Sequence, residues 1–170
     1  MSDSHQAAHN DSFAPTLLHA AQLLGDRLGQ PVTLTAVERL DSQHLVLRCQ
    51  IARSKGSVLA TVIVKQLIKA PKSNQFPPRQ QFLNEWANLQ FLTYLGLDYG
   101  PRLYTSDASA RMMIVEDLGQ GPFLLDILNV QDPDRATTAL ADWGTLLGRW
   151  HEAAAPQLDG GDGLVLDDGR

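Results

Sequence analysis

Apolar and polar positions alternate along three neighbouring segments in the first half of the chain, residues 32–40, 45–52 and 58–67. A period of two in segments rich in β-branched residues is typical of β-strands. The short polar stretches between the segments favour turns. Strands that follow one another through short turns pair antiparallel. The pattern therefore predicts an antiparallel sheet in this part of the chain.

Helical periodicity flanks these strands on both sides. Apolar stripes at helical spacing run through residues 15–28 (Leu17, Ala21, Leu24 and Leu28) and residues 79–95 (Phe82, Trp86, Leu89 and Leu92). The first helix is expected to lie against the sheet. Residues 1–14 are polar and show no comparable stripe, so they are interpreted as a flexible tail.

Two further strands and a hinge follow the second helix. Residues 102–107 are expected to form a fourth strand and residues 112–116 a fifth. The apolar run MMIV in the fifth strand favours a central position in the sheet. The apolar pattern is then lost over residues 117–122, which contain two glycines and a proline and are interpreted as a hinge.

The remaining residues, 123–170, are expected to begin a helical lobe. A short helix is predicted over residues 123–129, and a longer one should start at Pro133 with Asp132 as its cap. Trp143 and Trp150 recur at helical spacing along this longer helix. The five-stranded part offers them nothing to pack on, which indicates a second, helical unit.

Composition narrows the classes of function. The chain has 170 residues, 44% of them hydrophobic, and a net charge of −5. This is typical of a globular protein with no general preference for nucleic acid or an anionic membrane. The sequence contains no run of about 18 apolar residues, so no membrane span is predicted. The single cysteine, Cys49, excludes a disulfide within the chain, favours a reducing, cytoplasmic setting, and is interpreted as a core residue.

One charged side chain interrupts the apolar third strand. Lys65 follows the run VIV, and a lysine in such a strand is almost never fully buried without a partner. Glu85 lies three residues after Phe82 and four before Leu89, so it shares the apolar stripe of the second helix. The two are 85 − 65 = 20 residues apart, which leaves room for a loop and two helical turns. The alternatives are a lysine that extends to solvent and a glutamate at the edge of a wide stripe.

The order of these features resembles the amino-terminal lobe of the protein-kinase-like fold, and more closely its aminoglycoside phosphotransferase and small-molecule kinase branch. The segments that carry the resemblance are VIVKQL with Lys65, FLNEWANLQFL with Glu85, MMIVEDLG ending at Gly119, and LLGRWHEAA. They cover most of residues 30–155. The resemblance implies an α+β lobe over residues 15–116 with a five-stranded antiparallel sheet and a flanking helix, followed by the first helices of an incomplete helical lobe.

The resemblance implies ATP as the ligand and gives roles to three residues on its phosphate side. Lys65 would bind the α- and β-phosphates, and Glu85 would hold the lysine in place. The turn over residues 41–44 would cover the phosphates. It lacks the glycines that protein kinases use there, so Ser42 is the candidate contact. An ordinary hairpin turn is the alternative for this segment.

On the base side of the ATP, the resemblance implies contacts from the end of the fifth strand. The carbonyl of Glu116 and the amide of Leu118 would meet the edge of the adenine. Apolar walls around the adenine would include Val62 together with Leu40 or Leu45.

The catalytic residues of this family lie in its carboxy-terminal lobe. They are an H-G-D-type loop, an asparagine five residues after its aspartate, and a second aspartate for magnesium. The nearest run here is Gly161-Asp162, but Gly160 stands at the histidine position and Asp167 at the asparagine position. We therefore expect no catalytic residue and no metal ligand in residues 1–170, and interpret the chain as a truncated kinase without turnover.

Two functions stay open at this point. One is the ATP-binding half of a small-molecule kinase, which uses ATP with Mg²⁺ and phosphorylates a hydroxyl of an unidentified small acceptor. The alternative is a noncatalytic, pseudokinase-like binding or interaction module, in which Lys65 and Glu85 form a structural ion pair or are surface charges. Neither the acceptor nor the oligomeric state follows from the sequence.

Overall fold

The computed structural model describes residues 3–41, 44–53, 58–68, 77–130 and 132–159. Within these ranges the elements are α1 (Asp3–Leu28), β1 (Val32–Asp41), β2 (Leu45–Arg53), β3 (Val58–Gln66), α2 (Pro78–Tyr94), β4 (Leu103–Asp107), β5 (Met112–Glu116), α3 (Leu124–Asn129) and α4 (Pro133–Asp159). The strands form one five-stranded sheet, and every neighbouring pair is antiparallel. The predicted α+β class with a five-stranded antiparallel sheet is confirmed.

The strand order is β1-β2-β3-β5-β4. The chain forms a meander through β1, β2 and β3, and then returns so that β5 inserts between β3 and β4. Four of the five β5 residues are buried, which agrees with the central position that its apolar run predicted. Because β3 lies between β2 and β5, a side chain on it is flanked on both sides, with Val46 and Met113 opposite Lys65.

Helix α1 covers one face of the sheet, as expected. The buried residues of this cluster, which we term the α1-side core, are Leu17, Ala20, Leu24, Leu34, Ala36, Leu45, Leu47, Cys49, Ile51, Val62, Val64, Met112 and Ile114. Cys49 is fully buried, and burial raises the pKa of its thiol to about 12. Its interpretation as a core residue is therefore confirmed.

Helix α2 covers part of the opposite face. The buried residues of this second cluster, the α2-side core, are Leu67, Phe82, Trp86, Met113 and Val115. Ile63 of β3 and Leu103 of β4 pack against them while remaining partly exposed. The helix thus lies over the β3, β5 and β4 half of the sheet, and Phe82, Trp86 and Leu89 of its predicted apolar stripe make the contact.

The first helix differs from its prediction at its amino-terminal end. It begins at Asp3, so residues 3–14 are helical rather than a flexible tail. Pro15 lies within the helix rather than at its start, where a proline removes one backbone hydrogen bond but need not end the helix. Phe13 packs against the α1-side core, and its ring centroid lies 5.7 Å from the Arg39 guanidinium carbon. Such tertiary contacts are not visible in a local polar pattern.

The two remaining helices, α3 and α4, pack against each other. Helix α4 begins as predicted, with the Arg135 amide donating to Asp132 Oδ1 at 3.1 Å, and it runs to Asp159. Trp143 is 51% exposed, and none of the described side chains of the two helices is buried. The helical lobe over residues 123–170 stays a prediction. Across the described ranges, no helix has the length and apolar character to cross a bilayer.

Candidate functional site

Lys65 and Glu85 form an ion pair on the α2 face of the sheet. The Lys65 Nζ atom lies 2.5 Å from Glu85 Oε1 and 2.7 Å from Oε2. The Lys65 side chain is 26% exposed and that of Glu85 38% exposed, so the pair sits at an open margin of the core. The predicted pairing of these two residues is confirmed.

Strand alternation and helix periodicity bring the pair together. Ile63 and Leu67, two positions before and after Lys65, pack in the α2-side core, so Lys65 points to the same face. On the helix, Glu85 lies next to Trp86 and one turn after Phe82, both of which are buried. The apolar residues around each charge therefore fix the elements from which the two side chains meet.

Val62 does not belong to this site. It is 1% exposed and lies in the α1-side core, on the opposite face of the sheet from Lys65. Leu45, the alternative to Leu40, lies in the same core and therefore also on the face opposite Lys65. Successive side chains of a strand point to opposite faces, so residues three apart cannot share one. The β3 residue nearest to Lys65 on its face is Ile63.

The other predicted site residues lie at or beyond the margins of the described sheet. Leu40, near the end of β1, is 43% exposed, and Leu118, just after β5, is 70% exposed. Ser42 lies outside the described residues. Glu116 ends β5 and is tied to Arg102, since its amide donates to the Arg102 carbonyl at 2.8 Å and its Oε2 accepts from the Arg102 amide at 3.1 Å. Their nucleotide roles stay predictions.

A second charged cluster lies where β5 leads into α3. Arg48 of β2 donates from Nε to Asp117 Oδ2 at 2.8 Å, from Nη1 to Glu38 Oε2 at 2.5 Å, and from Nη2 to the Gly119 carbonyl at 3.2 Å. We term Glu38, Arg48, Asp117 and Gly119 the Arg48 cluster. The Arg48 and Asp117 side chains are only 13% and 4% exposed. The cluster therefore joins two strands to the segment that follows β5.

Hydrogen bonding keeps this buried carboxylate charged. Burial raises the pKa of Asp117, but hydrogen bonds from the Thr61 hydroxyl, the Arg48 guanidinium and the Gly119 amide outweigh it and leave the pKa below its ordinary value. The same contact with Asp117 raises the pKa of Arg48. Gly119 adopts a φ of +82°, a left-handed conformation that glycine tolerates without strain, and so closes the turn onto Asp117.

Local sequence patterns do not predict the Arg48 cluster. Arg48 stands at a polar position of an alternating strand, which by itself suggests a solvent-facing side chain. Its partner Asp117 is 69 residues further along the chain, beyond the reach of any local spacing rule. The one sequence feature that points to the cluster is the position of Asp117 directly after the buried strand β5, where a cation on a neighbouring strand can reach it.

A third polar cluster lies on the α1 face. Asp107 accepts from the Ser109 hydroxyl at 2.6 Å and from the Ala110 amide at 3.1 Å, and its Oδ2 lies 2.8 Å from His19 Nε2. Hydrogen bonds, led by that from Ser109, lower the pKa of Asp107 to about 2. These contacts tie α1 to the end of β4.

Within the described ranges, no group of three or more histidine, cysteine, aspartate or glutamate side chains is arranged to hold a metal ion. No protein-family profile, no curated protein and no solved structure matches the chain.

Proposed function

We propose that this chain is the ATP-binding half of a small-molecule kinase, with residues 15–116 forming a kinase-like nucleotide-binding lobe. The contact of Lys65 with both carboxylate oxygens of Glu85 carries the proposal. In phosphoryl transfer the protein acts mainly by positioning and by stabilising charge, and a lysine held by a glutamate on the adjacent helix is one of its recurring parts. The complete enzyme would transfer the γ-phosphate of ATP to a hydroxyl of a small acceptor.

The donor chemistry of Lys65 fits a phosphate ligand. An ammonium group has three N–H donors. Two of them can serve the Glu85 oxygens, which leaves one for a phosphate oxygen. The partial exposure of both side chains leaves this third donor accessible from the open side of the pair. Glu85 also offsets the cost of withdrawing the lysine charge from water.

On the base side, the proposal assigns the adenine edge to the Glu116 carbonyl and the Leu118 amide. Ile63 takes the place of Val62 as the β3 wall, since it lies on the face of Lys65. Leu40, exposed near the end of β1, supplies a second apolar surface. ATP would bring Mg²⁺ with it, and no residue of this chain is assigned as a ligand of that ion.

Thermal unfolding in the presence of Mg-ATP tests the proposal. A ligand that binds only the folded state stabilises it by RT ln(1 + [L]/Kd), about 1.4 kcal/mol when the ligand is at tenfold excess over Kd. Millimolar Mg-ATP should raise the Tm of the wild-type chain. The shift should be lost in Lys65→Met and reduced in Glu85→Gln.

Arg149→Met is the matched control, because it removes one positive charge from an exposed position on α4. It should keep the full Mg-ATP shift. Absence of any shift in the wild-type chain would contradict ATP binding and leave the noncatalytic interaction module. A shift that survives Lys65→Met would contradict the role of the lysine.

A further inference from the structure

The segment 117–120 stays in contact with the sheet after the end of β5. After β5 it contacts three strands in turn. The Asp117 carboxylate accepts from Thr61 on β3 and from Arg48 on β2. Gln120 then reaches Glu38 on β1, with its Nε2 atom 3.4 Å from Glu38 Oε2. The segment thus spans the β3, β2 and β1 half of the sheet.

Arg48 is the centre of these contacts. A guanidinium is a rigid, planar fork whose N–H groups point in fixed directions. Here Nε, Nη1 and Nη2 each find a different oxygen, on Asp117, Glu38 and Gly119. The low exposure of Arg48 and Asp117 strengthens the charge-assisted bond between these two side chains relative to surface pairs. Because the Arg48 guanidinium is held in one orientation, the position of segment 117–120 is fixed as well.

The position of Arg48 relates this segment to the proposed nucleotide site. Arg48 stands opposite Ile63 on β3, while Val46 stands opposite Lys65, so Arg48 is one step along the same face from the ion pair. The clamped segment contains Leu118 and follows Glu116, the two residues assigned to the adenine edge. Among the described residues, the Lys65–Glu85 pair shares no hydrogen-bond partner with the Arg48 cluster.

We infer that Arg48 is a positioning residue for the base of the bound nucleotide. By clamping segment 117–120 to β1 and β2, it sets the distance between the Leu118 amide and the sheet face against which the base would lie. It therefore determines affinity for the nucleoside part of the ligand, whereas Lys65 determines affinity for the phosphates. This inference rests on the proposed function and deepens it.

Titrations with ATP, adenosine and inorganic tripolyphosphate, followed by NMR on the full chain, test the division of roles. In Arg48→Gln, the Kd values for adenosine and ATP should rise about tenfold, which corresponds to about 1.4 kcal/mol. The Kd for tripolyphosphate should stay within about twofold. Lys65→Met should show the reverse pattern for adenosine and tripolyphosphate. Arg48→Lys keeps the charge without the fork and should retain the adenosine defect.

A further measurement and a second variant complete the test. Amide hydrogen exchange over residues 117–120 should accelerate about tenfold in Arg48→Gln, in line with the loss of charge-assisted bonds. If Arg48→Gln does not fold, Glu38→Gln removes only the partner on β1, whose side chain is 44% exposed, and should give the same pattern at smaller amplitude.

An Arg48→Gln variant that binds adenosine as the wild-type chain does, or that loses adenosine and tripolyphosphate affinity equally, overturns the inference while ATP binding stands. A wild-type chain that binds neither ATP nor adenosine overturns the proposed function and the inference together.

Discussion

Both carboxylate oxygens of Glu85 lie within hydrogen-bonding distance of the Lys65 ammonium, at 2.5 and 2.7 Å. The pair joins the central β3 to α2, yet about a quarter of the Lys65 side chain and over a third of the Glu85 side chain remain exposed. Water therefore screens the attraction between the two charges. The pair is better suited to holding the Lys65 ammonium in one orientation than to stabilising the fold.

A double-mutant cycle measures this distinction. With Lys65→Met, Glu85→Gln and the double variant, the coupling free energy from urea unfolding should be at most about 1 kcal/mol, since exposed ion pairs contribute about 0.2–1 kcal/mol. A coupling of several kcal/mol would instead identify a structural ion pair that the fold requires, and would favour the noncatalytic interaction module.

The contact of α2 with the sheet should account for far more stability. Phe82 is 1% exposed at the centre of the α2-side core, and truncation of a buried phenylalanine leaves a cavity. Phe82→Ala should lower the free energy of unfolding by about 3–5 kcal/mol in urea denaturation. Phe123→Ala is the matched control, because that side chain is 77% exposed and its loss should change the free energy by less than about 0.5 kcal/mol. Equal losses would contradict the assigned packing.

Stability should depend on the charge of Asp107 in acid. Its pKa is lowered from 3.8 to about 2 in the folded chain, chiefly by the hydrogen bond from Ser109. A carboxyl whose folded pKa lies below its unfolded value stabilises the fold above the unfolded value, and this contribution is lost as the pH falls through the folded one. The stability difference between wild type and Asp107→Asn should therefore be constant above about pH 5 and shrink between about pH 4 and pH 2.

Urea unfolding at a series of pH values checks this dependence. Asp98→Asn, at an exposed loop position after α2, provides the control and should follow the wild-type profile. If the difference between wild type and Asp107→Asn were the same at pH 2.5 and pH 6, the carboxylate contacts of Asp107 would not operate in solution.

Those parts of the fold that depend on local patterns could be predicted from the sequence. The bounds of β5 agree with the prediction because four apolar residues stand between a turn and an acidic residue. Glu85 could be selected because it interrupts an apolar stripe, and its partner Lys65 because it interrupts an apolar strand. Both are conspicuous against a regular background.

The parts that depend on distant contacts could not be predicted in this way. The start of α1 at Asp3 and the partners of Arg48 involve residues that meet only in the folded chain. Val62 is a different case, because its position three residues before Lys65 already places it on the opposite face by strand alternation. Applying that alternation outward from Lys65 selects Ile63.

Strand β1 forms one outer edge of the sheet, and its pairing with β2 is irregular between Ala36 and Glu38 and again between Arg39 and Asp41. Each irregularity shifts the spacing of the backbone groups that β1 presents outward. A strand from another molecule could match that spacing only along the first five residues, Val32 to Ala36. The same distortion that carries Glu38 to Arg48 thus makes this edge a poor template for intermolecular β-pairing.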